Sequence, residues 1–288
     1  MAWEPFIARL PGTSADVLID GGDTAVVRTS AGRFLRLQSP PPGLPDALSG
    51  GSNADEDAVA YADRLQAVMA AREDDEASHR WPEARRAVAL VGAGPIVDAV
   101  AEALSEWRVS VSRYDDVAAL IAAVDGAEAG VADGESTPPW HLVIAYADSP
   151  AERGGWDRID RLPRRGTAWL RAYREGENCF VDPICLTPDD PGSDQVLRRR
   201  LAASPTPRET DAWRRAAAPD APPSPAARTL LVGRLLTVAL TWAREDTALE
   251  GYRTTLWKLV PASGAVSEHT VLAYDPPPPL DRAARRRA

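Results

Sequence analysis

A strand, a glycine turn and a helix follow one another in the segment Ala87 to Ala103, which reads AVALVGAGPIVDAVAEA. Its four uninterrupted apolar residues, Val88 to Val91, are typical of a parallel strand that is buried on both faces. Gly92 and Gly94 allow the tight turn that brings the following helix back onto the strand. The segment therefore predicts an α/β domain of Rossmann type.

The same turn departs from the G-x-G-x-x-G fingerprint that binds a dinucleotide. Val97 replaces the third small residue, and Pro95 lies inside the turn. Both changes leave the backbone less open to a pyrophosphate. We interpret Gly92 and Gly94 as a vestigial nucleotide loop and expect no cofactor. A nucleotide-dependent enzyme of Rossmann type, with a phosphate against these two glycines, is the main alternative.

The charge of the chain limits its partners. The 288 residues carry a formal net charge of −9 at pH 7, whereas nucleic-acid binding requires a basic surface. The basic run Arg282 to Arg287 is interpreted as a solvated tail. We therefore expect no nucleic-acid partner.

No export signal and no membrane segment are expected. A glutamate and a proline interrupt Met1 to Leu10, where a signal peptide has an apolar stretch. The longest apolar helix candidate, Thr229 to Ala243, is interpreted as too short to span a bilayer and has Arg234 at its centre. The two cysteines, Cys179 and Cys185, suit a reducing compartment. The sequence thus predicts a cytoplasmic protein with no membrane partner.

The first 80 residues predict a small unit of strands followed by helices. Three β-type runs, Asp16 to Asp20, Thr24 to Thr29 and Arg33 to Gln38, are separated by glycine-containing turns. A strong helix is predicted over Asp55 to Arg72, after a short one around Leu44 to Leu48. This order predicts a winged-helix-like unit.

A winged-helix DNA-binding regulator is a further alternative. The acids at the start of the main helix, Asp55 to Asp57, argue against it because they would repel DNA phosphates.

The main helix is expected to end at Glu73 to Glu76 and Trp81-Pro82, which are also expected to form a linker. A second domain is predicted over residues 84–288. The expected apolar stripe of the helix consists of Val59, Leu65, Val68 and Met69.

The second domain predicts further strands, helices and loops in alternation. The predicted strands are Arg108 to Ser112, His141 to Tyr146, Gly166 to Tyr173 and Asn178 to Ile184, with a terminal hairpin of Thr254 to Val260 and Val266 to Tyr274. The predicted helices are Val117 to Val124 and Ala226 to Arg244, and the predicted loops are Gly126 to Pro139, Thr187 to Ser193 and Pro219 to Pro225.

Five motifs occur in a characteristic order. They are LVGAGPIVDAVAEAL (Leu90 to Leu104), LVIAYAD (Leu142 to Asp148), GTAWLRAYREGENCFVDPIC (Gly166 to Cys185), AARTLLVGRLLTVAL (Ala226 to Leu240) and SEHTVLAYDPP (Ser267 to Pro277). In this order the chain resembles the ThiF-like, or ubiquitin-activating-like, leader-binding proteins. These proteins partner YcaO cyclodehydratases in making azole-containing peptides and thiopeptides, which are RiPPs (ribosomally made, modified peptides).

The resemblance covers nearly the whole chain and implies its organisation. The N-terminal unit resembles the family's RiPP recognition element, and residues 84–288 resemble a degenerate ThiF-like domain. The implied role is a non-catalytic scaffold that binds the leader of a precursor peptide and presents it to a separate, ATP-dependent YcaO-type cyclodehydratase. A homodimer is also implied, with helix Ala226 to Arg244 and the terminal hairpin as candidate contacts.

Departures from the adenylating relatives imply the loss of their chemistry. Those relatives hold ATP phosphates with an Asn-x-x-Arg-Gln type segment, whereas Tyr114 to Leu120 reads YDDVAAL. Many relatives bind zinc through two Cys-x-x-Cys pairs, of which only Cys185 is present, and Asp275 to Asp281 contains no cysteine. One thiolate cannot make a tetrahedral zinc site, so we expect no metal. Both Cys179 and Cys185 are interpreted as buried small hydrophobes.

No catalytic residue is predicted. His79, His141 and His269 have no spacing that indicates a triad or a metal site. Asp115-Asp116 could bind a cation or a ribose, but we interpret both as ordinary loop residues. The tryptophans are interpreted as core and interface anchors, including Trp140, Trp156, Trp169, Trp213, Trp242 and Trp257.

The leader is expected to bind by strand addition, because an edge strand offers unpaired backbone groups to an extended peptide. Arg33 to Gln38 is the predicted edge, and Thr24 to Thr29 is the alternative. We expect Arg33 and Arg36 to point to one side, and a proline at Leu35 to remove one backbone donor, to stiffen the edge and to lower the affinity for the peptide. Phe34, Leu37, Leu65 and Met69 are the predicted pocket walls. The full set of predicted leader-binding residues is Arg33, Phe34, Leu35, Arg36, Leu37, Tyr61, Arg64, Leu65, Val68 and Met69.

Overall fold

A computed structural model describes residues 5–20, 24–51, 54–128, 138–216 and 222–274. The predicted turn Gly21 to Asp23, most of the loop Gly126 to Pro139, part of the loop Pro219 to Pro225, and the segments Asp275 to Asp281 and Arg282 to Arg287 lie outside these residues. The chain divides into two compact units, Met1–Arg80 and Trp81–Ala288.

Unit 1 contains an antiparallel sheet of four strands in the order β1-β2-β3-β4, together with two helices. The elements are β1 (Phe6–Arg9), β2 (Asp16–Ile19), β3 (Ala25–Arg28), β4 (Phe34–Arg36), α1 (Leu44–Ser49) and α2 (Glu56–Arg80). Three strands and the short helix were predicted, whereas β1 was missed, because four residues of alternating burial give little sequence signal. The winged-helix likeness of this unit stays a prediction.

Helix α2 differs from its prediction in length and in its buried side. It continues through the acids 73–76, since Arg72 pairs with Glu76 at 3.1 Å and carboxylates spaced along a helix surface are readily solvated. Its buried residues are Ala58 and Met69, with Leu65 packed against the same core. Val59 and Val68 are exposed, so the predicted stripe is wrong in phase.

Unit 2 is a mixed seven-stranded sheet with helices on both faces, so the predicted α/β class is confirmed. Its strands are β5 (Ala87–Val91), β6 (Ser110–Tyr114), β7 (Leu142–Ala147), β8 (Ala168–Glu175), β9 (Asn178–Val181), β10 (Thr255–Val260) and β11 (Ala265–Thr270). The order is β11-β10-β9-β8-β7-β5-β6. The four strands β6, β5, β7 and β8 are parallel, and β9, β10 and β11 continue the sheet antiparallel.

Helices of unit 2 are α3 (Pro95–Glu106), α4 (Val117–Glu128), α5 (Trp156–Ile159), α6 (Ser193–Ala203), α7 (Pro207–Ala216), α8 (Pro225–Arg244) and α9 (Leu249–Tyr252). Short 3-10 turns occur at Glu83–Arg85, Pro150–Arg153 and Leu162–Arg165. Helices α3 and α8 cover one face of the sheet, and side chains of α4, α5 and α6 belong to the core on the other face. The sequence did not predict α6 or α7, because both are rich in charge.

Several strand boundaries moved for local reasons. Strand β6 begins two residues late because Arg108 adopts a left-handed φ of 61° in the turn before it. Strand β8 begins after Gly166, which has φ 78° and ends a 3-10 turn. Strand β9 ends before Asp182-Pro183, where proline offers no N–H to a sheet.

Trp81 is a core residue rather than part of a linker. Its side chain is fully buried, and its indole N–H donates to the carbonyl oxygen of Arg85 at 3.0 Å. Its ring centroid lies 6.1 Å from those of both Trp107 and Trp242. The predicted anchoring role of tryptophan is confirmed at positions 140, 156, 169, 242 and 257, whereas Trp213 is 40% exposed.

Among the described residues, one helix, α8, is long and apolar enough to cross a membrane by length and composition alone. The prediction that it is too short is therefore wrong. Ser224 caps its N-terminus by accepting from Ala227 N–H at 3.2 Å, and the helix then runs for 20 residues. A helix of a protein core can pass the same test, and Leu231, Leu235 and Trp242 of α8 are buried in unit 2.

Candidate peptide-binding edge

Strand β4 is one of the two edges of the unit 1 sheet, because among the described residues it pairs with β3 alone. The alternative edge, Thr24 to Thr29, is wrong. Its strand β3 pairs with β2 on one side and with β4 on the other.

The backbone of β4 alternates between inward and outward groups. Leu37 N–H donates to Ala25 O at 2.9 Å, and Arg33 O accepts from Thr29 N–H at 2.8 Å. In an antiparallel ladder this alternation directs residues 33, 35 and 37 toward β3 and leaves the backbone groups of Phe34 and Arg36 facing outward. A proline at Leu35 would therefore remove a donor that faces β3, not one that is open to a leader.

Side chains of β4 alternate as well. Leu35 and Leu37 pack against the core of unit 1, whereas Phe34 is 59% exposed and shares its side of the strand with Arg36. The expectation that Arg33 and Arg36 point to one side is wrong, because residues three apart lie on opposite sides of a strand. Met69 is a core residue with 2% exposure, not a pocket wall open to a ligand.

Helix α2 contributes a second row of residues, spaced one turn apart. The Tyr61 hydroxyl donates to the carbonyl oxygen of Gln38 at 3.2 Å, which holds α2 against the chain that leaves β4. Burial raises the pKa of this phenol, and the charge of Arg64 opposes the rise. Leu65 packs on the core below, and Val68 is 63% exposed.

We name this set of residues the β4 edge: Arg33 to Leu37 with Tyr61, Arg64, Leu65 and Val68. Within the described residues, no carboxylate lies within ion-pair distance of Arg33, Arg36 or Arg64, and all three side chains are exposed. Two exposed apolar side chains, an open strand edge and three uncompensated cations therefore belong to one small unit. Such a set can bind an extended peptide that carries apolar and acidic residues.

The glycine turn of unit 2 closely approaches strand β7 at Gly92. A Cβ at Gly92, which has φ 113°, would collide with the carbonyl oxygen of Tyr146. Val97 is a buried residue of helix α3, and the first residue of this helix, Pro95, has no N–H to offer an anion. Asp98, in the first turn of the helix, pairs with Arg113. The first turn of α3, where a phosphate would bind, therefore has one N–H donor fewer and carries an acid.

Other residues considered from sequence have structural partners. Asp116 caps α4 by accepting from Ala119 N–H at 2.8 Å. Both cysteines are free thiols in the core, as predicted, and burial raises the pKa of Cys179 and of Cys185 to about 11. His79 belongs to the last turn of α2 rather than to a linker. The described part of the chain holds no cluster of three or more His, Cys, Asp or Glu suited to a metal.

A buried ionic cluster in unit 2 was missed from sequence. Glu175, at the end of β8, lies 2.7 Å from Arg153 and 3.3 Å from Arg214, and it also pairs with Arg200. Burial alone would raise the pKa of Glu175, but the hydrogen bonds and charges of Arg200 and Arg153 lower it to about 2. No spacing in the sequence indicates this cluster, because its members come from β8, α6, α7 and a 3-10 turn.

The fold is similar to several solved structures. A chain of the E. coli microcin synthetase McbBCD complex with pro-MccB17 bound matches at a TM-score of 0.49 and 10% identity, covering 93% of this chain and 97% of that one. The heterocyclase TruD matches at 0.47 and 14% identity, over 94% of this chain but 42% of that longer one. E. coli MccB with MccA matches at 0.46 and 8% identity, over 94% and 96%.

With TM-scores below 0.5, these similarities carry no argument about the activity of this chain. No protein-family model and no curated protein matches the sequence.

Proposed function

We propose that this chain is a non-catalytic scaffold that binds the leader of a ribosomally made precursor peptide and presents it to a YcaO-type cyclodehydratase for azoline formation. The observation that carries the proposal is the β4 edge, where the backbone groups of Phe34 and Arg36 face outward. Beside them lie three arginines that have no carboxylate partner among the described residues. The ordered sequence motifs that resemble the leader-binding family support the same role.

Binding would proceed by strand addition. The leader satisfies the outward N–H and C=O groups of Phe34 and Arg36, and its side chains alternate between solvent and the exposed row of α2. Val68 and Phe34 supply apolar contacts, and Arg33, Arg36 and Arg64 attract acidic residues of the leader. Backbone bonds give affinity for any extended peptide, whereas the side chains select one leader.

Chemistry is assigned to the partner. The missing N–H of Pro95 and the acid at Asp98 disfavour a phosphate at the start of α3. We therefore expect the purified chain neither to hydrolyse ATP nor to retain zinc. Stoichiometric zinc by elemental analysis, or ATP turnover by the chain alone, would refute this part of the proposal.

The proposal is tested by fluorescence anisotropy with a labelled leader taken from a Ser/Cys/Thr-rich precursor encoded beside the gene. Saturable binding at micromolar concentration, lost when the leader sequence is scrambled, is the expected result. Equal binding of the scrambled leader contradicts the proposal. A raised melting temperature with ATP and none with the leader would instead favour a Rossmann-type enzyme, and salt-sensitive binding of duplex DNA would favour a regulator.

We further propose that unit 2 dimerises and docks the cyclodehydratase. Leu230 of α8 is 47% exposed, Val266 of β11 is 52% exposed, and β11 is an edge strand of the sheet. Exposed apolar side chains beside an open edge are suited to a contact between two copies. Light scattering that gives a monomer at micromolar concentration would count against the dimer.

A further inference from the structure

A cavity of about 320 Å³ lies in unit 2, between the antiparallel part of the sheet and helices α6 and α7. Phe180 of β9 pairs with Lys258 of β10 in the sheet register, and Leu256 lies two residues earlier on the same side of β10. Leu197 and Leu201 of α6 also line the cavity. This volume is large enough for a small molecule and not only for one or two water molecules.

The lining is cationic. Arg199, Arg200, Arg214 and Lys258 line the cavity, and its described lining contains no aspartate or glutamate, in a chain whose net charge is −9. Glu175 compensates Arg200 and Arg214 from outside this lining. Within the described residues, Arg199 and Lys258 have no carboxylate within ion-pair distance.

The cations converge on one aromatic ring. The Arg200 guanidinium lies 4.0 Å from the ring centroid of Phe180, and the Lys258 ammonium lies 6.0 Å from the same centroid. Like charges held together at a partly dehydrated surface repel one another, and a bound anion would relieve that repulsion. Burial is the main cause that lowers the pKa of Arg214, and repulsion by the charge of Arg153 lowers it further.

Lys258 is the single lysine among the 33 cationic side chains of the chain. An ammonium is a compact charge with three donors, whereas a guanidinium is a planar fork. The cavity therefore combines both kinds of anion donor beside an apolar floor.

We propose that this cavity binds a small molecule in which a phosphate or carboxylate is joined to an apolar body. Lys258 and Arg199 contact the anionic group, and Phe180 and Leu256 contact the apolar body. The site belongs to unit 2 and does not depend on peptide binding at the β4 edge.

The single lysine makes the test specific. Reductive dimethylation of the full chain modifies Lys258 and the α-amino terminus, and mass spectrometry follows the rate at each amine. Phenyl phosphate or benzoate at ten times its dissociation constant is expected to slow modification of Lys258 by roughly tenfold, because only the free site reacts. The α-amino terminus serves as the internal reference, and its rate is unchanged.

Neutral and purely inorganic probes complete the design. Phenol is expected not to protect, and inorganic phosphate is expected to protect less than phenyl phosphate at equal concentration. The better of phenyl phosphate and benzoate identifies the anionic group. The proposal is overturned if neither anion protects Lys258, or if phenol protects it as well as the anions do. If inorganic phosphate protects as well as phenyl phosphate, the assignment of Phe180 and Leu256 to an apolar body is overturned.

Two neighbouring arginines provide matched variants. Arg199→Gln removes a cation of the lining and is expected to weaken the protecting anion on the order of tenfold, since it removes a charge-assisted contact. Arg198→Gln removes an exposed arginine that pairs with Asp194 outside the cavity, and affinity should not change. Equal weakening by both variants would mean a general charge effect and would overturn the assignment.

Discussion

Three arginines reach one buried carboxylate at Glu175. Because its folded pKa of about 2 lies below the ordinary value of 4.5, the group stabilises the fold fully above pH 4.5. That contribution is lost as pH falls from about 4.5 toward 2. A shift of this size corresponds to about 3 kcal/mol of unfolding free energy.

Glu175→Gln is expected to destabilise unit 2 by about 3–5 kcal/mol at pH 7, because it leaves three arginines facing a neutral group. Urea unfolding measures this, and the variant should also lose part of the decline in stability between pH 4.5 and 2.5. Glu177→Gln, at an exposed position two residues away, is the control and should have little effect. Wild-type pH dependence in Glu175→Gln would show that the cluster does not hold this carboxylate ionised.

Charge reversal at Arg36 tests the electrostatic part of leader binding. Arg36→Glu is expected to reduce the association rate for an acidic leader, and more at low salt than at high salt, because exposed charges are screened within about 10 Å at 0.1 M. Stopped-flow anisotropy at two salt concentrations measures the rate. A loss that is independent of salt would assign Arg36 a contact role instead of a steering role.

At the scale of elements, strand β4 separates backbone from side-chain effects. Arg36→Pro removes the outward N–H and the guanidinium, whereas Arg36→Ala removes only the guanidinium. If the leader adds as a strand, Arg36→Pro should bind roughly fivefold more weakly than Arg36→Ala, which corresponds to about one hydrogen bond. Equal affinities of the two folded variants would exclude strand addition at this residue.

Leu35→Pro should behave differently from both variants at Arg36. It removes the N–H that faces Val27 of β3, so unit 1 itself should lose stability. Circular dichroism of the three variants distinguishes a folding defect from a binding defect.

Local patterns predicted most elements, and tertiary context decided the rest. The glycine turn and the buried strand β5 depend only on residues a few positions apart, so the sequence is sufficient to predict them. Which strand of unit 1 is the edge depends on the spatial order of the strands, and which residues of β4 face outward depends on its pairing with β3. The predicted apolar stripe of α2 is wrong at Val59 and Val68 for the same reason. The sequence does not show which side of the helix packs on the sheet.

At the scale of the whole molecule, the two units have cores of unequal size. Five buried apolar residues form the main core of unit 1, whereas both faces of the sheet in unit 2 are covered. Because a small core stabilises weakly, unit 1 should unfold at a lower denaturant concentration than unit 2.

Hydrogen exchange with mass spectrometry along a urea series tests this order in the full chain. Peptides of residues 6–80 should lose protection first, and a bound leader should raise the midpoint of that transition alone. Coincident loss of protection in both units would mean that they unfold as one cooperative body.

The tryptophan cluster of Trp81, Trp107 and Trp242 gives the molecule a built-in optical reporter. Every tryptophan that the structure describes lies in unit 2, whereas Tyr61 lies on the β4 edge of unit 1. Excitation at the red edge of indole absorption therefore observes mainly the second unit. Closely spaced indoles couple their electronic transitions. The near-ultraviolet circular dichroism of this cluster should therefore vanish when Trp81, the first residue of unit 2, separates from Trp107 and Trp242.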